Sequence, residues 1–366
     1  MERVVHLDNR WSATIEQFHT QNIDALLLVK QENLTKENVR YVSGFTGSSA
    51  YVLIHPERRV LLTDDRYTEQ AAQQCPQYEI IRHEKPFTKQ LSQVVADLNI
   101  SRLGYEAPGI TVAMWNTLSE ALPDVELVAT TGIAEQQRAI KGEDEIALIR
   151  RACQLADQGY AHLLERCQPG ISERELASSL EAFLRQQGAD GLAFNMILVS
   201  SSRTSHQHGS PSERCLEPGD FVLADFGALY KGYRSDITRT FVLGPISTKQ
   251  REVYEVVRQA QAAALSMLKA GASGVEICTG TRRIIEDEGY GDYTAHGVGH
   301  GVGLEIHEDP FVTSANDVML QVGHVITVEP GIYIPDWGGV RIEDTVVITE
   351  TGCRVLTESP KELRVL

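Results

Sequence analysis

The sequence predicts an α+β protein: a smaller N-terminal α/β domain over residues 1–134 and a larger domain over 135–366 in which helices and strands come in blocks. Three observations carry that expectation. At roughly 150 residues per domain, 366 residues make about two domains. The first third mixes short apolar runs with a helical stretch, whereas the rest sets long helical-period segments beside groups of apolar runs. Between Thr130 and Lys141 the apolar periodicity lapses around Thr131-Gly132, which places the boundary near residue 134.

Taken in order, Ala25-Leu-Leu-Leu-Val29, Tyr51-Val-Leu-Ile54 and Arg59-Val-Leu-Leu-Thr63 read as buried strands, and Phe87 to Leu98 as an amphipathic helix. From Glu143 to Cys167, Ile146, Ile149, Ala152, Ala156, Tyr160 and Leu163/Leu164 fall on one helical face. Pro169-Gly170 ends that helix. Ser172 followed by Glu175 has capping-box spacing, so Glu173 to Gln187 is a second helix, closed by Gly188. Helices are also expected at Lys249 to Lys269 and Gly274 to Glu288, and strands at Phe221 to Asp225, Asp236 to Val242, His324 to Val328 and Val340 to Ile348.

Charge and composition narrow the function. A 42% hydrophobic and 23% charged chain is an ordinary globular one, which excludes disordered and fibrous readings. With 34 Lys+Arg against 50 Asp+Glu the net charge is −16, a field that repels a phosphate backbone, so nucleic acid is not an expected partner. The six cysteines contain no C-x-x-C pair, the usage of a reducing compartment, and a cytoplasmic location is expected. Met1 to Arg10 carries both charge signs and no apolar core, and Ala25 to Val29 is too short to span a bilayer, so neither export nor a membrane anchor is expected.

Five potential ligands for a hard metal ion lie in or at the ends of the expected strands, where a rigid backbone aims side chains and an unpaired carboxylate is costly: Asp225, Asp236, His300, Glu329 and Glu343. Asp225 and Asp236 stand eleven positions apart across a Gly/Tyr-rich connection, as two strands of a hairpin facing one site would place them. Glu329 follows Val325-Ile-Thr-Val328 and precedes Pro330-Gly331, and Glu343 sits within Val340-Arg-Ile-Glu-Asp-Thr345. Any one such acid is commonly a salt-bridged or edge-strand residue. Four with a histidine and no thiolate suit Mn²⁺, Co²⁺, Fe²⁺ or Zn²⁺. Four carboxylates exceed what one catalytic ion takes, so two ions sharing bridging carboxylates are expected.

His300 lies in His296-Gly-Val-Gly-His-Gly-Val-Gly303, whose alternate glycines let backbone pack tightly behind a ligand. The spacing is not G-x-G-x-x-G, and no G-x-x-x-x-G-K-[ST] occurs, so this is not a phosphate loop. No G-x-S-x-G elbow supports a serine hydrolase, and no cysteine has the context of a nucleophile. Six of the 11 histidines fall between 206 and 324; of these, His206 and His324 read as ordinary core or surface residues.

Four segments carry a family resemblance: Asp225 to Phe241 (DFGALYKGYRSDITRTF), Gly299 to Pro310 (GHGVGLEIHEDP), Thr327 to Ile334 (TVEPGIYI) and Gly338 to Thr345 (GGVRIEDT). They resemble the proline-specific metallopeptidases of the M24 "pita-bread" family, the prolidases (Xaa-Pro dipeptidases) and aminopeptidases P. Arg40-Tyr-Val-Ser-Gly-Phe-Thr-Gly-Ser48 and Leu62-Thr-Asp-Asp-Arg-Tyr67 are similar to the smaller N-terminal creatinase/prolidase-like domain of the same enzymes, so the resemblance spans nearly the whole chain.

The resemblance implies hydrolysis of the Xaa-Pro bond in dipeptides or at the N-terminus of peptides, with two divalent ions, Mn²⁺ foremost. It implies that Asp225 chelates one ion, that Asp236 and Glu343 bridge both, and that His300 and Glu329 complete the ligand set of the second ion. His208, His296 and His307 match the family's non-ligand active-site histidines, His296 on the substrate side, and Arg341 matches its arginine two residues before the bridging glutamate. Glu329 is the expected acceptor of the water's proton, and His208 or His307 the expected partner of the tetrahedral oxyanion. A homodimer or higher homo-oligomer is implied too. The chain departs from the pattern at Ser201, where relatives have glycine, and at Gln207, where they have proline before His208. A metal-free amidinohydrolase of the creatinase type would have lost the ligands, as would a binding protein without catalysis. Methionine aminopeptidases share the metal set, but the extra N-terminal domain and the Gly-Val-Arg-Ile-Glu run favour the proline enzymes. A non-proline peptidase on the same fold is the remaining alternative.

Overall fold

The computed structural model describes residues 2–32, 36–84, 86–295 and 297–366, with residues 2–6 described by backbone alone. His296 lies outside the described residues. The Cα packing divides the chain into two compact units, Met1–Arg138 and Ala139–Leu366.

In the first unit the three expected strands form, as Ala25–Lys30, Ala50–His55 and Arg58–Thr63. They are the centre of a six-stranded mixed sheet. Glu79–Arg82 pairs parallel with Arg58–Thr63 at one edge; Arg102–Glu106 and Glu126–Thr130 extend the other, also in parallel. The added strands carry few apolar residues, so composition hid them. The helix expected at Phe87 to Leu98 runs over Thr88–Asp97 and packs Leu91, Val94 and Val95 against Leu27, Leu53 and Leu62. A further helix, Ile133–Ala139, occupies the stretch where the periodicity lapses, following Gly132 at φ +78°.

The second unit alternates helix pairs with antiparallel sheets. Helices Glu143–Arg166 and Glu173–Gln186 cover the three-stranded sheet Ile197–Ser200, Asp220–Phe226 and Ile237–Leu243, joined through Leu155, Tyr160, Leu180, Ala224 and Phe241. The Ser172–Glu175 capping box forms as expected, with the Ser172 hydroxyl accepting from the Glu175 N–H at 3.2 Å. Helices Thr248–Met267 and Gly274–Asp287 pack on a five-stranded sheet and the hairpin Gly331–Ile334/Gly338–Arg341, and a small three-stranded sheet joins Gly191–Leu192, Ala228–Tyr230 and Tyr233–Arg234. All six cysteines are free. Among the described residues no helix is long and apolar enough to cross a membrane.

One expectation is corrected. Val340 to Ile348 is not a single strand: Gly338–Arg341 pairs with Gly331–Ile334, whereas Asp344–Ile348 pairs with Val325–Val328 in another sheet. The break falls at Ile342-Glu343, where the Glu343 N–H leaves both ladders for the Thr238 carbonyl at 3.1 Å. Alternating apolar residues on both sides of the break made the run look continuous.

His324 is a structural histidine in this unit. Its ring is buried, and Nδ1 accepts a hydrogen bond from the Gln321 N–H at 3.1 Å, an arrangement open only to the neutral imidazole. Burial, and then the charge of Lys141, bring its pKa down to about 4 from the ordinary 6.5. The unfolded chain binds this proton below about pH 6.5 and the folded chain does not, so the contribution is present above pH 6.5 and is lost as pH falls toward 4. Lowering pH from 7.5 to 5 is expected to cost about 1 kcal/mol through this residue, after allowance for solvent screening. Urea unfolding of His324→Gln should show that much less loss over the same interval; an identical loss in the variant would remove His324 as the cause.

Candidate metal centre

Short local rules bring the four acids and the imidazole to one place. Asp225 is the sixth residue of the strand Asp220–Phe226, and its neighbour in the antiparallel ladder is Thr238; Asp236 stands just before the strand Ile237–Leu243. His300 is in Gly297–Gly301, Glu329 immediately follows Val325–Val328, and Glu343 immediately precedes Asp344–Ile348. The glycines flanking His300 are needed for this. A Cβ on Gly299 would collide with the Thr327 carbonyl and one on Gly301 with the carbonyls of Glu308 and Asp309.

Asp236, His300 and Glu343 are buried together, each offering a ligand atom within 4.8 Å of the others. His300 Nε2 lies 3.7 Å from Asp236 Oδ2 and 3.3 Å from Glu329 Oε1. His300 Nδ1 faces the Gly301 carbonyl at 3.1 Å, which holds the proton on Nδ1 and leaves the Nε2 lone pair toward the carboxylates. Asp225 lines the same cavity, of about 540 Å³, with one oxygen taken by the Arg341 guanidinium. His208 and His307 also line it, and the His307 ring stands 4.3 Å from that of His300.

These residues fit a divalent cation. Asp225 Oδ1, Asp236 Oδ1 and Glu343 Oε1 are buried without a hydrogen-bond partner, a costly arrangement for carboxylates unless a cation compensates it. Burial and then the Glu343 charge push the Asp236 carboxyl well above the usual range; burial and then the Glu329 charge do the same for Glu343. Burial lowers the His300 pKa, keeping the ring in its ligating form. Oxygen donors with one imidazole are the set expected of Mn²⁺, Fe²⁺, Co²⁺ or Zn²⁺.

Apart from Arg341, the residues that aim these side chains were not singled out from sequence. Three threonines do much of it: Thr238 Oγ1 donates to Glu343 Oε2 at 2.6 Å, Thr327 Oγ1 accepts from the His300 N–H at 3.0 Å and donates to Glu329 Oε1 at 3.2 Å, and Thr345 Oγ1 donates to the Asp236 carbonyl at 2.7 Å. A signal existed. Each threonine is two positions from a ligand, in Asp236-x-Thr238, Thr327-x-Glu329 and Glu343-x-Thr345, the spacing that puts two side chains on one strand face. Arg341 is a second such device: Nε donates to Thr238 Oγ1 at 3.0 Å, Nη1 to the Tyr333 hydroxyl at 2.9 Å and the Gln207 carbonyl at 3.4 Å, and Nη2 to Asp225.

The third is Glu173, fully buried at the start of its helix. It accepts from the Ser200 N–H and hydroxyl at 2.8 and 2.7 Å, from the Ser212 N–H and hydroxyl at 2.9 and 2.7 Å, and from Arg203. One carboxylate thus ties both limbs of the loop that carries Gln207 and His208. Within that loop Ser201 has φ +56°, the left-handed conformation that glycine adopts without strain.

Residues 147–350 match metallopeptidase family M24, and residues 10–140 match the creatinase/prolidase N-terminal domain. "Uncharacterized peptidase YqhT" of Bacillus subtilis is 44% identical over 349 residues, covering 95% of this chain and 98% of that one. An Xaa-Pro dipeptidase from Bacillus anthracis has a similar structure at TM-score 0.95 and 42% identity, covering 98% of this chain and 100% of that one. An X-Pro aminopeptidase from Thermotoga maritima follows at TM-score 0.91 and 36% identity, covering 97% and 99%.

Proposed function

From the premise that this chain belongs to metallopeptidase family M24, we propose that it hydrolyses the Xaa-Pro peptide bond with two divalent cations, Mn²⁺ foremost, held by Asp225, Asp236, His300, Glu329 and Glu343. The enzyme class and the pita-bread fold with its N-terminal domain are those of the family. The observation that carries the reading is the group of buried, partnerless carboxylate oxygens around His300 in one cavity. Asp236 and Glu343 are the ligands assigned to both ions. The boundary at residue 134, a homodimer and a cytoplasmic location belong to the same proposal.

Ions at this site would supply Lewis-acid polarisation of the scissile carbonyl and a water acidified enough to be hydroxide near neutral pH. The rest falls to the chain's own groups. Glu329 Oε1, steadied by the Thr327 hydroxyl, accepts the water's proton. His208 and His307, on the cavity wall, hydrogen-bond the oxyanion as the carbonyl becomes tetrahedral. Arg341 holds Asp225 in place, and His296 is assigned to the substrate side. The bond before proline has no N–H on its nitrogen, so a peptidase that grips extended backbone by that donor loses its hold there, and a dedicated pocket is required.

The test is hydrolysis by chelator-stripped protein with and without Mn²⁺, on Xaa-Pro and Xaa-Pro-Yaa substrates beside Xaa-Ala and Xaa-Ala-Yaa. Metal-dependent cleavage favouring proline by about 100-fold is expected, the scale of a site built for one bond type. Equal cleavage of the alanine series, or cleavage without metal, would overturn the reading.

A further inference from the structure

We infer that this site takes peptides of three or more residues in preference to dipeptides, because among its described residues the exposed rim of the cavity carries no lysine or arginine and the cavity's one guanidinium is committed inside the protein. The inference rests on the peptidase reading above and adds the substrate class.

An Xaa-Pro dipeptide carries a carboxylate on the proline itself, within one residue of the bond to be cut. Binding it selectively calls for a cation at that distance, and a bidentate arginine is the usual solution. Among the described residues that line the cavity, Arg341 is the one arginine and there is no lysine. Arg341 is 4% exposed and faces Thr238, Tyr333, the Gln207 carbonyl and Asp225. Turning it toward a substrate would break those bonds and strip Asp225 of its partner. His208 and His307, which also line the cavity, are the groups assigned above to the oxyanion. A carboxylate held close in would instead meet a chain of net charge −16, with no lysine or arginine among the described rim residues to offset the repulsion.

The rim suits a continuing peptide. Asn195, Gln207 and Ser210 are exposed on the cavity lining, and their amides and hydroxyl can donate and accept, as the next peptide unit requires. Phe311 is 39% exposed on the same lining, an apolar surface for the side chain of a third residue. Each added residue also carries the terminal carboxylate about 3.3–3.6 Å further out, toward solvent that screens it.

Phe311 gives the cleanest test because it sits on a strand, Glu308–Thr313, with alternating burial that fixes its outward direction. Wild-type kcat/KM is expected to be at least about tenfold higher for Xaa-Pro-Yaa than for Xaa-Pro, the size of one good polar contact, with Xaa-Pro-amide between them because it lacks the charge. Phe311→Arg should raise kcat/KM for the dipeptide about tenfold, chiefly through KM, and narrow the ratio. Gln207→Arg places the charge from the loop instead and serves if the first variant does not fold. Dipeptide cleaved as well as tripeptide by the wild type would overturn the inference, as would an added arginine that improves both alike. The Xaa-Ala and Xaa-Ala-Yaa pair separates the two claims: selectivity for length with none for proline refutes the proline reading alone, and the converse refutes this one alone.

Discussion

Asp236→Ala is expected to lower turnover by at least ~10³-fold while making the metal-free protein more stable, not less. Both effects follow from the same geometry. Asp236 is 4% exposed, its Oδ1 has no partner, and the nearby Glu343 carboxyl repels it. Without a cation these acids oppose folding, so deleting one removes desolvation cost and repulsion together. With cations the balance reverses, since an ion at 100 times its Kd stabilises the fold by about 2.7 kcal/mol, and each kcal/mol moves Tm by roughly 2–4 °C at this domain size. Thermal melts with and without Mn²⁺ should therefore cross: the variant melts higher when stripped, and the wild type gains more when loaded. Asp236→Asn, which keeps the shape and drops the charge, should behave likewise. A variant that retains full activity and the full metal response would take Asp236 out of the centre.

The ligands were legible because charge inside apolar β-runs is expensive and therefore conspicuous; Asp225, Glu329 and Glu343 each interrupt a stretch that would otherwise read as plain strand. The long helices were legible for the complementary reason, a face from Ile146 to Leu163 repeated at helical spacing and buried as expected. Less visible were side chains whose value depends on a partner far along the chain. Thr238 meets Glu343 across 105 positions, and Thr345 meets Asp236 across 109. No local pattern marks such a pair, since threonine in a strand is unremarkable by propensity alone. Glu173 was concealed differently. As an acid in the first turn of a helix it has a sufficient local explanation, and only the fold reveals that its carboxylate fastens Ser200 and Ser212. The break at Glu343 was missed because apolar strand residues flank it on both sides, with Val340 and Ile342 before it and Val346 to Ile348 after it.

Arg239→Ala is expected to destabilise the protein by about 3–5 kcal/mol, the cost of removing one partner from a buried ion pair. Arg239 and Asp344 are both fully buried, 2.7 Å apart. The guanidinium also donates to the carbonyls of Thr238, Glu343, Pro360 and Ser359. Asp344 accepts in addition from Gln261 at 2.8 Å, Thr357 at 2.8 Å and Lys361 at 2.6 Å. Strand alternation explains why this cluster sits where it does: Arg239 and Asp344 each adjoin a residue of the metal centre, Thr238 and Glu343, and point to the opposite face. The pair therefore braces the two strands from behind while their other faces hold the carboxylates. Arg239→Met with Asp344→Leu removes both buried charges and should recover part of the lost stability in guanidinium unfolding, because the one ion left without its partner, Lys361, is 30% exposed and can turn to solvent. The carbonyl of Glu343 still loses its donor in the double variant, so metal affinity should stay below wild type although the fold is restored. Recovery of both together would show that the pair serves stability alone; recovery of stability without metal affinity would show that the back of the strand sets the position of the ligand on its front.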